Sequence, residues 1–207
     1  MRMLIVDDHQ LFIDGIRHVL NRLAPDAVIT EANTSFSAID ILESGESFDL
    51  VFIDLVIPGM DGLSILKRLH AQGIWYPLVI LSGDENVRTI KAALELGALG
   101  FIPKSFSSEA MLSALRSILE GELFVPQAIS QQLNELKPRR FTQNGNITRR
   151  QLQVLELLAQ GYTNRQIAAT LCLTEHTIKA HVSALFIELN VANRTECVQM
   201  AESRGLI

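Results

Sequence analysis

The chain has 207 residues, 48% hydrophobic and 20% charged, a mixture that suits one large or two small globular domains and excludes a disordered chain. Its longest apolar runs, about half a dozen residues, fall far short of the roughly 20 that span a bilayer. Cys172 and Cys197 are too few for a disulfide framework, a structural zinc site or an iron–sulfur cluster. The formal net charge of −5 divides unevenly, with −8 on residues 1–125, +2 on 126–146 and +1 on 147–207, so the two ends should meet different partners.

The first 125 residues alternate short apolar runs with amphipathic stretches. Residues 3–6, 27–30, 50–53, 78–81 and 100–102 are β-branched, nearly free of charge and bounded by Asp, Ser, Gly or Pro. Such runs suit a parallel sheet buried on both faces. Helical patterns separate them, such as Leu11, Ile16, Val19, Leu20 and Leu23, or Met111, Leu112, Leu115, Ile118 and Leu119. Five βα units predict a doubly wound α/β domain over residues 1–121. Asp7-Asp8 follows the first apolar run at once, so no signal-peptide apolar region is expected and the chain reads as cytoplasmic.

Residues 122–146 read as a linker with one possible helix from Pro126 to Lys137, placing Ile129, Leu133 and Leu136 on a single face. Residues 147–207 read as helix only, in four pieces. Thr148-x-x-Gln151, Thr163-x-x-Gln166 and Asn193-x-x-Glu196 match the capping-box pattern, and Thr174 suits an N-cap. In the third piece Ile178, Val182, Leu185 and Leu189 form a core stripe, while His176, Lys179, Ala180 and Ser183 make a slim polar face. Two short helices and a tight turn of this kind suit a helix entering the DNA major groove. Pattern alone fits a helical accessory or dimerisation module equally well, and a charge of +1 is thin for a DNA binder. Cys172, Cys197 and His181 fit core roles.

Chemistry concentrates where strands end. The first run ends at Asp7-Asp8, the third at Asp54, the fourth at Ser82 and the fifth at Pro103-Lys104. In an open α/β sheet the carboxyl ends of the strands line the ligand crevice. One such Asp is most often a turn former or helix cap; four strands delivering this set is another matter. Three carboxylates repel one another, and their hard oxygens suit Mg²⁺. Lys104 would then help hold a phosphoryl group that Asp54 accepts as nucleophile. A phosphatase with an aspartyl-phosphate intermediate is the competing reading. It needs a second acid–base carboxylate near the nucleophile, and Val56 stands there, so a slowly decaying switch is expected rather than an enzyme.

Leu4-Ile-Val-Asp-Asp8, Ile53-Asp-Leu-Val-Ile-Pro-Gly-Met-Asp-Gly62, Leu81-Ser-Gly83 and Phe101-Ile-Pro-Lys104 together resemble the flavodoxin-like receiver domain of two-component response regulators. The resemblance implies Asp54 as phosphoacceptor and a Mg²⁺ held by Asp8, Asp54 and the Val56 carbonyl, with Asp7 acting through water. It makes Ser82 and Phe101 a switch pair and gives Lys104 the phosphoryl oxygens. Asn164-Arg-Gln-Ile-Ala168, Leu173 to Val182 and Leu189-Asn-Val-Ala-Asn-Arg-Thr195 resemble the LuxR-type helix-turn-helix. The whole chain is thus similar to the NarL/FixJ family. That implies a DNA-binding transcriptional regulator whose phosphodonor is a sensor histidine kinase. DNA contacts fall to Arg165, His176, Lys179, Ala180, Ser183 and Arg194, with Arg149 and Arg150 as further cations. A homodimer on inverted half-sites is expected, with Val198 and Ala201 offered for pairing. The chain departs from the family pattern at Gln151, Asn190 and Ile187-Glu188, the last costing phosphate attraction. That departure leaves a second reading open, a receiver-coupled regulator acting through protein contacts without specific DNA binding.

Overall fold

The computed structural model describes residues 1–74, 76–120, 123–135, 147, 149–171, 173, 175–189, 191 and 193–207, without the side chains at 120, 134, 135, 149, 150, 176, 177, 179, 180, 183, 184 and 187. Strands β1 (Arg2–Val6), β2 (Val28–Ala32), β3 (Leu50–Ile53), β4 (Leu78–Ser82) and β5 (Gly100–Pro103) form a sheet in the order β2-β1-β3-β4-β5, with every neighbour parallel. Helices α1 (Gln10–Leu23), α2 (Ser35–Glu43), α3 (Gly62–Ala71), α4 (Val87–Glu95) and α5 (Ser108–Glu120) connect and follow the strands.

Alternation along the strands sorts the apolar residues onto two faces. Met3, Ile5, Phe52, Val79, Leu81 and Ile102 pack with Ile13, Ile16, Leu112 and Leu115 of α1 and α5. Leu4, Val6, Val51, Ile53, Ile80 and Phe101 pack with Ala38, Ile65, Ile90 and Ala93 of α2, α3 and α4. Both faces are covered, so the strands read as continuous apolar runs rather than alternating ones. The chain leaves β1 toward β2 on one side, while β3 lies on the other. The crevice of a doubly wound sheet opens at such a reversal, here between the carboxyl ends of β1 and β3.

The helix expected in the linker is present as α6 (Gln127–Glu135), and it packs on the α/β domain. Ile129 is buried in the α2–α4 core, where Val125 and Leu133 pack beside it, and α6 lies against α4. Just before it, Phe124 pairs with the open edge of β5: the Phe101 amide donates to the Phe124 carbonyl at 2.8 Å. A Cβ on Gly100 would come within 2.6 Å of that carbonyl, so the close approach requires glycine. Leu136 and the rest of the linker through 146 lie outside the described residues.

Helices α7 (Arg149–Ala159), α8 (Asn164–Thr170), α9 (Glu175–Leu189) and α10 (Arg194–Ser203) share a separate core. In α9 Ile178, Leu185 and Leu189 are buried, Val182 packs against them and His181 is also buried. Thr163 and Gln166 form the expected capping box. Asn193 accepts from the Glu196 amide, and its own amide group donates to the Glu196 carboxylate at 2.7 Å. Thr148, Thr174, Cys172 and Asn190 lie outside the described residues. One expectation is corrected. Ala201 was offered as a pairing surface, but it is fully buried with Cys197, and Val198 packs against the same core. The reason is helical spacing: Cys197 and Ala201 stand at i and i+4, so they face inward together. The two domains touch where α9 lies beside α5. Among the described residues no helix is long and apolar enough to cross a membrane.

Candidate phosphoacceptor site and nucleic-acid face

The sheet brings three of its five strand ends to one place. Asp7 follows β1 and is 1% exposed; Asp54 follows β3 and is 2% exposed. Lys104, one residue beyond β5, reaches back over the sheet edge. Its Nζ sits 2.6 Å from Asp7 Oδ2 and 2.6 Å from Asp54 Oδ2. Its ammonium also lies 4.8 Å from the centre of the Phe12 ring. Two buried carboxylates beside one ammonium leave net negative charge in a low-dielectric pocket, which favours a further cation.

The remaining oxygens are held by backbone. Asp54 Oδ1 accepts from the Val56 amide at 3.1 Å, and Asp7 Oδ1 accepts from the His9 amide at 2.9 Å. Asp7 Oδ2 is enclosed and, apart from the Lys104 ion pair, accepts no hydrogen bond. Asp8 is partly open at the mouth. One atom from each of Asp7, Asp8, His9 and Asp54 lies within 4.8 Å of the others, so these donors fit a divalent cation.

Two residues outside the expected set hold the loop after Asp54. Buried Ser35 donates to the Pro58 carbonyl at 3.1 Å and accepts from the Met60 amide at 3.2 Å. Gly62 stands so close to the backbone of β3's end that a Cβ there would lie 2.1 Å from the Asp54 carbonyl oxygen. A glycine in a motif is visible in sequence; a serine at a helix start carries no signal of this duty.

Ser82, at the end of β4, is fully buried and accepts from the Asp84 amide at 3.1 Å. Phe101 is likewise fully enclosed among the α2–α4 core residues. In the expected switch pair with Ser82, Phe101 therefore starts inside the core. Any movement must begin from an aromatic already inside, whose backbone is tied to Phe124.

In the helical domain Arg165 is exposed near the start of α8. Arg194 is half-buried and donates to the Leu158 carbonyl at 2.6 Å, tying the start of α10 to the end of α7. Its guanidinium thus has a structural duty that spacing did not reveal. The backbone places residues 176, 179, 180 and 183 on α9, but the side chains of His176, Lys179, Ala180 and Ser183, like those of Arg149, Arg150 and Ile187, lie outside the description. Glu188 is half-buried.

Residues 3–116 match the response regulator receiver domain, and residues 146–201 match the bacterial regulatory proteins of the luxR family. The chain belongs to the NarL/FixJ family of response regulators. The regulator is 34% identical to the glycerol metabolism activator of Pseudomonas putida, over 97% of this chain and 94% of that one. It is 33% identical to the nitrate/nitrite response regulator protein NarP of Escherichia coli K12, over 99% and 96% of the two chains. Among solved structures, RcsB from Salmonella enterica serovar Typhimurium, bound to promoter DNA, aligns over 98% of each chain with a TM-score of 0.59 at 23% identity, a likeness of fold.

Proposed function

We propose that the regulator accepts a phosphoryl group on Asp54 from a sensor histidine kinase and thereby gains affinity for DNA. The observation that carries this reading is the Lys104 ammonium, 2.6 Å from Asp54 Oδ2 on the side where phosphoryl oxygens would develop. Attack by an Asp54 carboxylate oxygen on phosphohistidine forms a P–O bond as the P–N bond breaks, and the imidazole leaves with the electron pair. Asp7, Asp8 and Asp54 would hold a divalent cation, for which Mg²⁺ suits these oxygens, and when bound it would neutralise charge on the incoming group. Lys104 then turns from the carboxylates to the phosphoryl oxygens, and the Ser82 hydroxyl donates to them. Val56, 57% exposed at the mouth, has no acid–base group to activate water, which supports a persistent acyl phosphate rather than turnover. Leu11 and Phe36, 90% and 71% exposed, follow the ends of β1 and β2 and offer the kinase an apolar seat beside the pocket. Such a donor acts in the cytoplasm.

The output is DNA binding by α9, with Arg165 and Lys179 on phosphates and His176, Ala180 and Ser183 toward the bases. Two domains on inverted half-sites compensate for the weak charge of one. Contact between α5 and α9 supports restraint of the output domain before phosphorylation. The test is intact-mass analysis after treatment with acetyl phosphate and Mg²⁺. One acid-labile phosphoryl group is expected on wild type and none on Asp54→Asn; equal labelling of both overturns the assignment.

A further inference from the structure

We propose that Ser35 is a positioning residue for phosphoryl transfer. Its buried hydroxyl closes the turn at Pro58-Gly59-Met60 and so holds the loop whose Val56 amide fixes the Asp54 carboxylate. The inference deepens the reading above and rests on Asp54 as the acceptor.

Ile57-Pro58-Gly59-Met60 has the sequence of a turn with proline second and glycine third, and Gly59 takes a φ of +94°. Such a turn ordinarily closes on itself, its fourth amide donating to its first carbonyl. Here the Met60 amide donates to Ser35 Oγ at 3.2 Å, and the same hydroxyl donates to the Pro58 carbonyl at 3.1 Å. A side chain 25 residues from Met60 in sequence therefore spans the turn. The fit is close, for a Cβ on Gly59 would lie 2.9 Å from Ser35 Oγ.

The hydroxyl is not needed by its own helix. Thr34 caps α2 by accepting from the Ser37 amide, and Ala38, Ile39 and Leu42 seat the helix in the core. The bonds of Ser35 thus act on the loop. Pro58 and Gly59 are exposed, so without Ser35 this stretch would exchange its bonds for water and sample more conformations. Upstream, the Val56 amide donates to Asp54 Oδ1 at 3.1 Å, while Asp54 Oδ2 meets Lys104 Nζ at 2.6 Å. These two contacts set the plane of the carboxylate. The Val56 side chain is 57% exposed and gives its amide little support. One residue, the buried Ile57, separates Val56 from the turn, so a turn that drifts carries the amide with it.

The experiment follows phosphorylation of the full chain by acetyl phosphate in Mg²⁺. Intact-mass time courses give a maximal rate and a half-saturating donor concentration, and hydrogen exchange is read at the Val56 amide. Ser35→Ala should lower the maximal rate about tenfold and leave half-saturation within about twofold, because orientation is lost and the donor's contacts are kept. Exchange at Val56 should quicken at least about tenfold in the same variant. A lowered urea midpoint with an unchanged maximal rate would show a purely structural serine and overturn the proposal. A slower rate with unaltered exchange at Val56 overturns it as well. No phosphoryl group on wild type overturns the reading of Asp54 itself, whereas equal rates for wild type and Ser35→Ala remove Ser35 alone.

Discussion

Lys104 is the residue on which the pocket's charge balance turns. Its ammonium touches two carboxylates that are almost wholly buried, Asp7 and Asp54. Removing one partner of a buried ion pair leaves uncompensated charge and costs about 3–5 kcal/mol. Lys104→Met should therefore lose about 3 kcal/mol of unfolding free energy in chelator, with part of it restored by Mg²⁺. Urea melts with and without the cation measure this; an unchanged midpoint in chelator would show that the carboxylates do not depend on the ammonium. The meeting of Asp7, Asp8, Asp54 and Lys104 was legible because motif order and strand ends coincide. The contacts of Ser35 and Arg194 were not. Each acts through a hydrogen bond to a distant backbone atom, Pro58 or Met60 for Ser35 and Leu158 for Arg194, and such partners leave no local pattern.

At the scale of elements, the strands were readable because both faces of the sheet are covered, which makes each strand an apolar, β-branched run. β2 is the exception: it runs two residues further than expected, through the charged Glu31 to Ala32, because these two pair with Ile5 and Val6 of β1. The pairing of Phe124 with β5 escaped detection because a single bridging residue has no periodicity. Helix α6 was visible by its stripe, yet its burial against α4 was not. Ile129→Ala should cost about 2–4 kcal/mol, since a buried side chain is removed and a cavity remains. Hydrogen exchange should rise at residues 123–135 and at the Phe101 amide together. Faster exchange confined to α6 would show that the Phe124 pairing stands independently of the helix. For α9, Lys179→Ala should weaken DNA binding similarly across sequences and lower the salt slope by roughly one if the side chain meets phosphate. Anisotropy titrations at several salt concentrations read both quantities, and full affinity in the variant removes Lys179 from the interface.

For the whole molecule, the acidic receiver and the weakly basic helical domain divide the work between a small chemical event and a large surface. Phosphorylation adds charge at one end of the sheet. Phe101 of β5 is tied to Phe124, just before α6, and α5 of the receiver touches α9. A two-state element biased by a local charge event is sufficient to couple the two. The alternative, regulation through protein contacts alone, draws on the Ile187-Glu188 departure and predicts no DNA response at all. The most direct measurement is retention of genomic DNA fragments by the full chain, with and without acetyl phosphate and Mg²⁺, for wild type and Asp54→Asn. Phosphorylated wild type should enrich a small set of fragments carrying inverted half-sites, while Asp54→Asn shows no response to the phosphodonor. Equal enrichment by both proteins, or no selective retention by phosphorylated wild type, would contradict the account.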